Sequence, residues 1–116
     1  DPNTVVYTGT HDNSTTRGWF EELSPDQQTT VRRYLQRPGA ESGDATPALL
    51  HLAWSSPAAL ALAPLQDVLN LGSDARMNVP GTADGNWRWR CTTEMLATPA
   101  FQHLRELTDN SNRSPG

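Results

Sequence analysis

The segment Val5-Val6-Tyr7-Thr8-Gly9-Thr10-His11-Asp12-Asn13 carries the most information about the fold. Its β-branched and aromatic beginning reads as a short buried strand over about residues 4–10. It ends in a histidine and a carboxylate just where helix-start signals begin. In a parallel sheet or a (β/α) barrel, side chains at the carboxyl ends of strands face the ligand, which makes His11 and Asp12 candidate site residues. The competing reading is an N-cap and its neighbour.

Working outward from this strand, Asn13 or Ser14 can cap a helix to about Leu23, with Trp19, Phe20 and Leu23 as its inward stripe. Ser24-Pro25 is a cap followed by proline at the first helical position, and Val31, Tyr34 and Leu35 supply the inward face. Arg37-Pro38-Gly39 should stop this helix, and an exposed loop should run from Gly39 to Ala45. Thr46-Pro47 repeats the cap and proline signature before an apolar helix to Trp54. Residues 59–63, Ala-Leu-Ala-Leu-Ala, then read as a second buried parallel strand. Gln66 and Asp67 follow it at a carboxyl end, where they serve either the site or the first turn of a helix. A C-terminal helix broken near Pro99 should end near Asp109-Asn110, and residues 111–116 should be a disordered tail. The expected class is α/β, predominantly helical, with two short parallel strands in one segment over residues 1–110.

The 116 residues carry a net charge of −4, 35% hydrophobic content and one cysteine, Cys91. The acidic balance argues against a nucleic-acid or anionic-membrane partner. A single cysteine excludes an internal disulfide. No apolar run is long enough to cross a membrane or act as a signal segment, so a cytoplasmic origin is the simple expectation. The histidines lie far apart and show no ligand spacing, so neither a metal nor another cofactor is expected. Gly72 to Gly85 should be an irregular loop of the kind that is often functional. In Trp87-Arg88-Trp89-Arg90, tryptophans packed inside with arginines pairing carboxylates is favoured over sugar stacking.

Three ordered blocks go further than the pattern. Tyr7 to Asn13 with Thr15-Thr16 and Gly18-Trp19 forms the first, and Ala63-Pro64-Leu65-Gln66-Asp67-Val68-Leu69-Asn70-Leu71-Gly72 the second. The third is Ala75-Arg76-Met77-Asn78-Val79-Pro80-Gly81-Thr82, leading to Asn86-Trp87-Arg88-Trp89-Arg90. Together they resemble the 4-α-glucanotransferases known as amylomaltases or disproportionating enzymes. The resemblance implies the C-terminal portion of a (β/α)8 barrel, since a whole barrel typically needs about 250 residues.

It also implies roles. Retaining glycosidic chemistry needs a nucleophilic carboxylate and an acid/base about 5 Å apart, and a third carboxylate can stabilise the oxocarbenium-like transition state. Asp12 matches that third carboxylate and His11 the histidine that bonds sugar hydroxyls. Asn13, Gln66, Asn78, Pro80 and Gly81 match the substrate-binding surroundings, with residues 76–81 resembling the loop that closes over the glucan. Ser14 stands where many relatives have an acidic residue. The nucleophile and acid/base motifs have no match here, so this chain alone is expected to be inactive. The implied partners are an α-1,4-glucan or maltooligosaccharide, and the missing N-terminal barrel or a second copy. The alternative is a noncatalytic carbohydrate-binding or oligomerising module derived from such an enzyme.

Overall fold

The computed structural model describes residues 3–35 and 42–113, with the side chains of 42–44 left aside. Its elements are β1 (Val5–Tyr7), α1 (Thr16–Glu22), α2 (Pro25–Tyr34), α3 (Ser42–Ser55), β2 (Leu60–Leu62), α4 (Leu65–Val68), a 3-10 turn (Ser73–Ala75), α5 (Thr93–Leu96) and α6 (Pro99–Asn110). The two strands pair in parallel, with Val5 opposite Leu60, Val6 opposite Ala61 and Tyr7 opposite Leu62. Parallel pairing requires a long crossover, which α1, α2 and α3 provide.

Alternation along the strands divides their side chains between two faces. Val6 and Ala61 pack against Leu50, Ala53 and Trp54 of α3 and Leu107 of α6. The other face carries Val5, Tyr7, Leu60 and Leu62, each about half exposed. The strands are therefore not buried on both faces as their composition suggests. Helices cover one side, and among the described residues nothing covers the other.

Several helix signals hold and others yield to tertiary structure. Ser24 closes a reciprocal capping box with Gln27 at the start of α2, and the C-terminal helix is broken near Pro99, where α5 ends at Leu96 and α6 begins at Pro99. The cap of α1 is neither Asn13 nor Ser14 but Thr15, whose hydroxyl accepts from the Gly18 backbone N–H at 3.0 Å. Phe20 is fully buried on α1, with the Arg32 guanidinium 5.4 Å from its ring centroid, whereas Trp19 is 43% exposed. Tyr34, expected to face inward, is 78% exposed, and no residue of α2 is fully buried. Gln28 of α2 instead holds α1 by donating from Nε2 to the carbonyls of Phe20 and Leu23.

Helix α3 begins at Ser42, not at Thr46-Pro47, so Pro47 lies inside it. As the sixth residue of α3, Pro47 lies past the four orphan donors of the helix start and removes one bond of the helical ladder. The expected loop from Gly39 accordingly gives way to helix at Ser42, while the expected stop at residues 37–39 lies outside the described residues.

The described part of the expected tail, residues 111–113, bonds back to the fold. Asn112 adopts φ 60°, and Asn112 N–H donates to Asp109 O while Arg113 N–H donates to Thr108 O, a Schellman stop for α6. The Arg113 guanidinium then donates to the carbonyls of Trp54, Ser56 and Ala58, tying α6 to the exit of α3.

Glycine matters where α1 meets the 3-10 turn. A β-carbon on Gly18 would lie 2.7 Å from Ser14 Oγ and 3.0 Å from the Ser73 backbone nitrogen, and would collide with Ser73 Oγ. Helix propensity alone favours alanine here. Overpacking decides the sign, so Gly18→Ala is expected to destabilise by about 1–3 kcal/mol, read as a lowered thermal midpoint by circular dichroism. An unchanged or raised midpoint would show that the 3-10 turn is free to move away.

Candidate active site

The chain leaving β1 makes a tight turn over Thr10 to Asn13. Asn13 N–H donates to Thr10 O at 3.1 Å, and Asn13 Oδ1 accepts from the Thr10 backbone at 2.8 Å and from its hydroxyl at 3.0 Å. A short amide side chain bonded to its own turn is a common way to fix such a bend. The two central positions are His11 and Asp12, whose side chains are 57% and 49% exposed. Because Thr15 caps α1, the N-cap reading of His11 and Asp12 does not apply. They stand together at the tip, with His11 Nε2 3.4 Å from Asp12 Oδ1.

A second loop grips this tip. Asn78 N–H donates to His11 O at 3.1 Å, and Asn78 Nδ2 donates to Asp12 Oδ1 at 2.6 Å. Arg76 donates from Nη2 to Asp12 O at 2.7 Å and from Nε to Asn78 O at 2.9 Å. Beyond Asn78, Thr82 N–H bonds Val79 O around Pro80 and Gly81, with Gly81 at φ 85°. Proline followed by a left-handed glycine is the signature of a type II turn. Asn86 secures this turn by accepting from Val79 N–H at 2.9 Å and donating to Thr82 O at 3.1 Å. Trp87 N–H closes the loop on Met77 O at 2.7 Å.

Trp87 was expected to pack inside, with arginines pairing carboxylates. It is instead 52% exposed, in the left-handed region at φ 61°, with its ring centroid 5.1 Å from that of His11. Arg90 donates to the Trp87 and Trp89 carbonyls, not to a carboxylate. The alternating aromatic and cationic text hid these contacts, because chain reversal in the preceding loop sets where Trp87 points.

An open cleft of about 420 Å³ lies between the two loops and the carboxyl ends of the strands. Of the expected site residues, His11, Asn13 and Gln66 line it, together with Tyr7, Arg76 and Trp87. Asp12, Asn78, Pro80 and Gly81 do not line it; Asp12 and Asn78 meet beside His11, and Pro80 and Gly81 form the turn that follows Asn78. Asn13 Oδ1 is committed to its turn, and Gln66 Nε2 donates to Ala75 O at 3.2 Å, holding the 3-10 turn. Sequence reasoning passed over Thr10, Asn86 and the contact of Trp87 with His11; the Thr10-x-x-Asn13 spacing was a usable sign of the first turn.

The other carboxylates are elsewhere. Asp67 is only 2% exposed and its oxygens accept from Thr8 Oγ1, Thr16 N–H and Thr16 Oγ1 at 2.6–2.8 Å. Asp74, Asp84 and Glu94 are exposed. Among the described residues, no three His, Cys, Asp or Glu side chains gather as metal ligands would, and no helix is long and apolar enough to cross a membrane.

Comparison with known proteins agrees with this geometry. The sequence model of the 4-alpha-glucanotransferase family matches residues 1–96. A 4-alpha-glucanotransferase of Synechocystis sp. is 53% identical over 108 residues, covering 92% of this chain and 21% of that protein. One from Thermus thermophilus is 45% identical over 112 residues, covering 94% of this chain and 22% of that protein. The structure of an amylomaltase from Streptococcus agalactiae in complex with acarbose superimposes with a TM-score of 0.89 at 35% identity, over 99% of this chain and 23% of that one. The chain thus spans about a fifth of the length of these relatives, and its two parallel strands and covering helices are part of a (β/α) barrel. It belongs to the 4-alpha-glucanotransferase family.

Proposed function

We propose that this chain is the C-terminal portion of the catalytic barrel of a transferase that moves segments of α-1,4-glucan to an acceptor glucan or glucose with retention of configuration. The observation that carries this reading is the His11-Asp12 tip, placed beyond the carboxyl end of β1 beside a cleft and clamped by Arg76 and Asn78. In this reading Asp12 stabilises the oxocarbenium-like transition state, and His11 positions the sugar at the cleaved bond. Asn13 and Gln66 line the path of the glucan in the cleft, and Pro80 and Gly81 shape the loop that carries Asn78. The nucleophile and acid/base belong to barrel strands outside this chain, as no motif for them occurs here. A location in the cytoplasm is part of the proposal, although a potato relative is chloroplastic or amyloplastic.

The exposed face of Val5, Tyr7, Leu60 and Leu62 supports this reading, because a barrel buries such a face against its remaining strands. It also motivates a second reading, a noncatalytic module that covers the same face by self-association.

A maltotriose transfer assay separates the two. The chain alone is expected to release no glucose and form no longer oligosaccharides. A chimera in which it replaces the matching 108 residues of the Synechocystis relative is expected to do both. A folded chimera that fails to transfer would favour the noncatalytic module. Activity of the isolated chain, abolished by Asp12→Ala, would place a nucleophile and acid/base within these 116 residues and overturn the proposal.

A further inference from the structure

We propose that Asn78, with Arg76 behind it, is a positioning residue for Asp12, fixing which carboxylate oxygen is left to meet the sugar. The inference rests on the transferase reading of Asp12 and assigns Asn78 a different task from contacting the glucan directly.

Three hydrogen bonds run from the second loop to the His11-Asp12 tip. Two hold its backbone carbonyls: Asn78 N–H on His11 O, and Arg76 Nη2 on Asp12 O. The third, Asn78 Nδ2 to Asp12 Oδ1 at 2.6 Å, holds the carboxylate itself. An ionised carboxylate only accepts, so the amide must present its nitrogen, and the orientation of Asn78 follows from its partner. A bond to a charged oxygen is also stronger than a neutral one. His11 Nε2 approaches the same oxygen at 3.4 Å. Both neighbours therefore crowd Oδ1, and among the described residues Oδ2 has no partner.

A half-exposed aspartate without such a contact would sample several side-chain rotamers. Charge stabilisation is effective only when the charge is already in place as the transition state forms. The Asn78 bond removes that freedom, and Arg76, by bonding both Asp12 O and Asn78 O, keeps the two loops in register.

The test is a double-mutant cycle in the complete transferase, with kcat and KM measured for maltotriose in Asn78→Ala, Asp12→Asn and the combined variant. A residue acting through Asp12 should lower kcat by about tenfold to a hundredfold with KM nearly unchanged, and add nothing once Asp12 is replaced. Asn78→Leu keeps the approximate volume, loses the donor without adding a charge beside Asp12 and is expected to match Asn78→Ala. It carries the test if thermal denaturation shows that the alanine variant is unfolded. Raised KM at unchanged kcat, or losses that multiply in the combined variant, would make Asn78 a direct sugar contact and overturn the proposal. Wild-type kcat in Asn78→Leu would overturn it as well. Wild-type kcat in Asp12→Asn would overturn the transferase reading itself, whereas a crippled Asp12→Asn beside an unimpaired Asn78→Ala overturns only the positioning role.

Discussion

Asp67→Ala is expected to lower the thermal midpoint by roughly ten degrees or more, about 3 kcal/mol or above for a domain of this size. The carboxylate joins three pieces of chain, the exit of β1, the start of α1 and α4. Oδ2 accepts from the hydroxyls of Thr8, just past β1, and Thr16, the first residue of α1, both at 2.6 Å. Oδ1 accepts from Thr16 N–H at 2.8 Å, one of the first-turn donors that no helix can satisfy internally. An acceptor-only group facing three donors is fully matched, and it is 2% exposed, so water cannot readily replace it. Alanine leaves these donors unpaired in a buried place. Asp67→Asn retains shape and one acceptor oxygen, and its amide nitrogen can bond a hydroxyl that turns to accept, so its midpoint should fall by much less. Thermal denaturation of both variants decides the matter. Equal losses would mean that the negative charge itself is required, and a negligible loss in alanine would show that the network does not bind the elements together.

This role shows where sequence reasoning reached its limit. Asp67 was legible as a residue of the first turn of its own helix, and it does lie in α4, but its partners are 51 and 59 residues away. Signals whose cause is local survived: the Ser24 cap with Pro25, the break near Pro99 and the two short strands. Signals that depend on what packs nearby did not. Thr46-Pro47 carries a start signature, yet α3 extends a further turn toward its N-terminus. Tyr34 and Trp19 sit at inward positions by period but have no described surface to cover them. Arg113 reads as tail because nothing local announces that its guanidinium caps the exit of α3. The candidate site divides in the same way. His11 and Asp12 were visible from strand-end position and family resemblance, whereas the tilted contact of Trp87 with His11 and the bond from Asn78 to Asp12, 66 residues apart in sequence, require a loop to fold back on the tip.

Asp12→Asn in the complete transferase is expected to reduce kcat for maltotriose transfer by about a hundredfold to a thousandfold, the scale of removing one preorganised electrostatic contact to a transition state. Asparagine is the informative replacement because it preserves volume and can still accept from Asn78 Nδ2 through its carbonyl oxygen. The tip held by Asn78 and Arg76 should therefore keep its shape. What disappears is the full negative charge opposite the developing positive charge on the sugar, which exists only at the transition state. The loss should fall on kcat more than on KM, since an interaction absent from the ground state adds nothing to substrate binding. Steady-state kinetics with a thermal-midpoint control gives the reading. A large rise in KM at unchanged kcat would make Asp12 a hydroxyl-binding residue instead. A loss matched by an equal fall in folded protein would make it a structural one, as the exposure of its side chain already argues against. The same comparison bears on His11: if positioning of the sugar is its task, His11→Ala should show the opposite division, with KM rising more than kcat falls, so that the two neighbours on one turn separate kinetically.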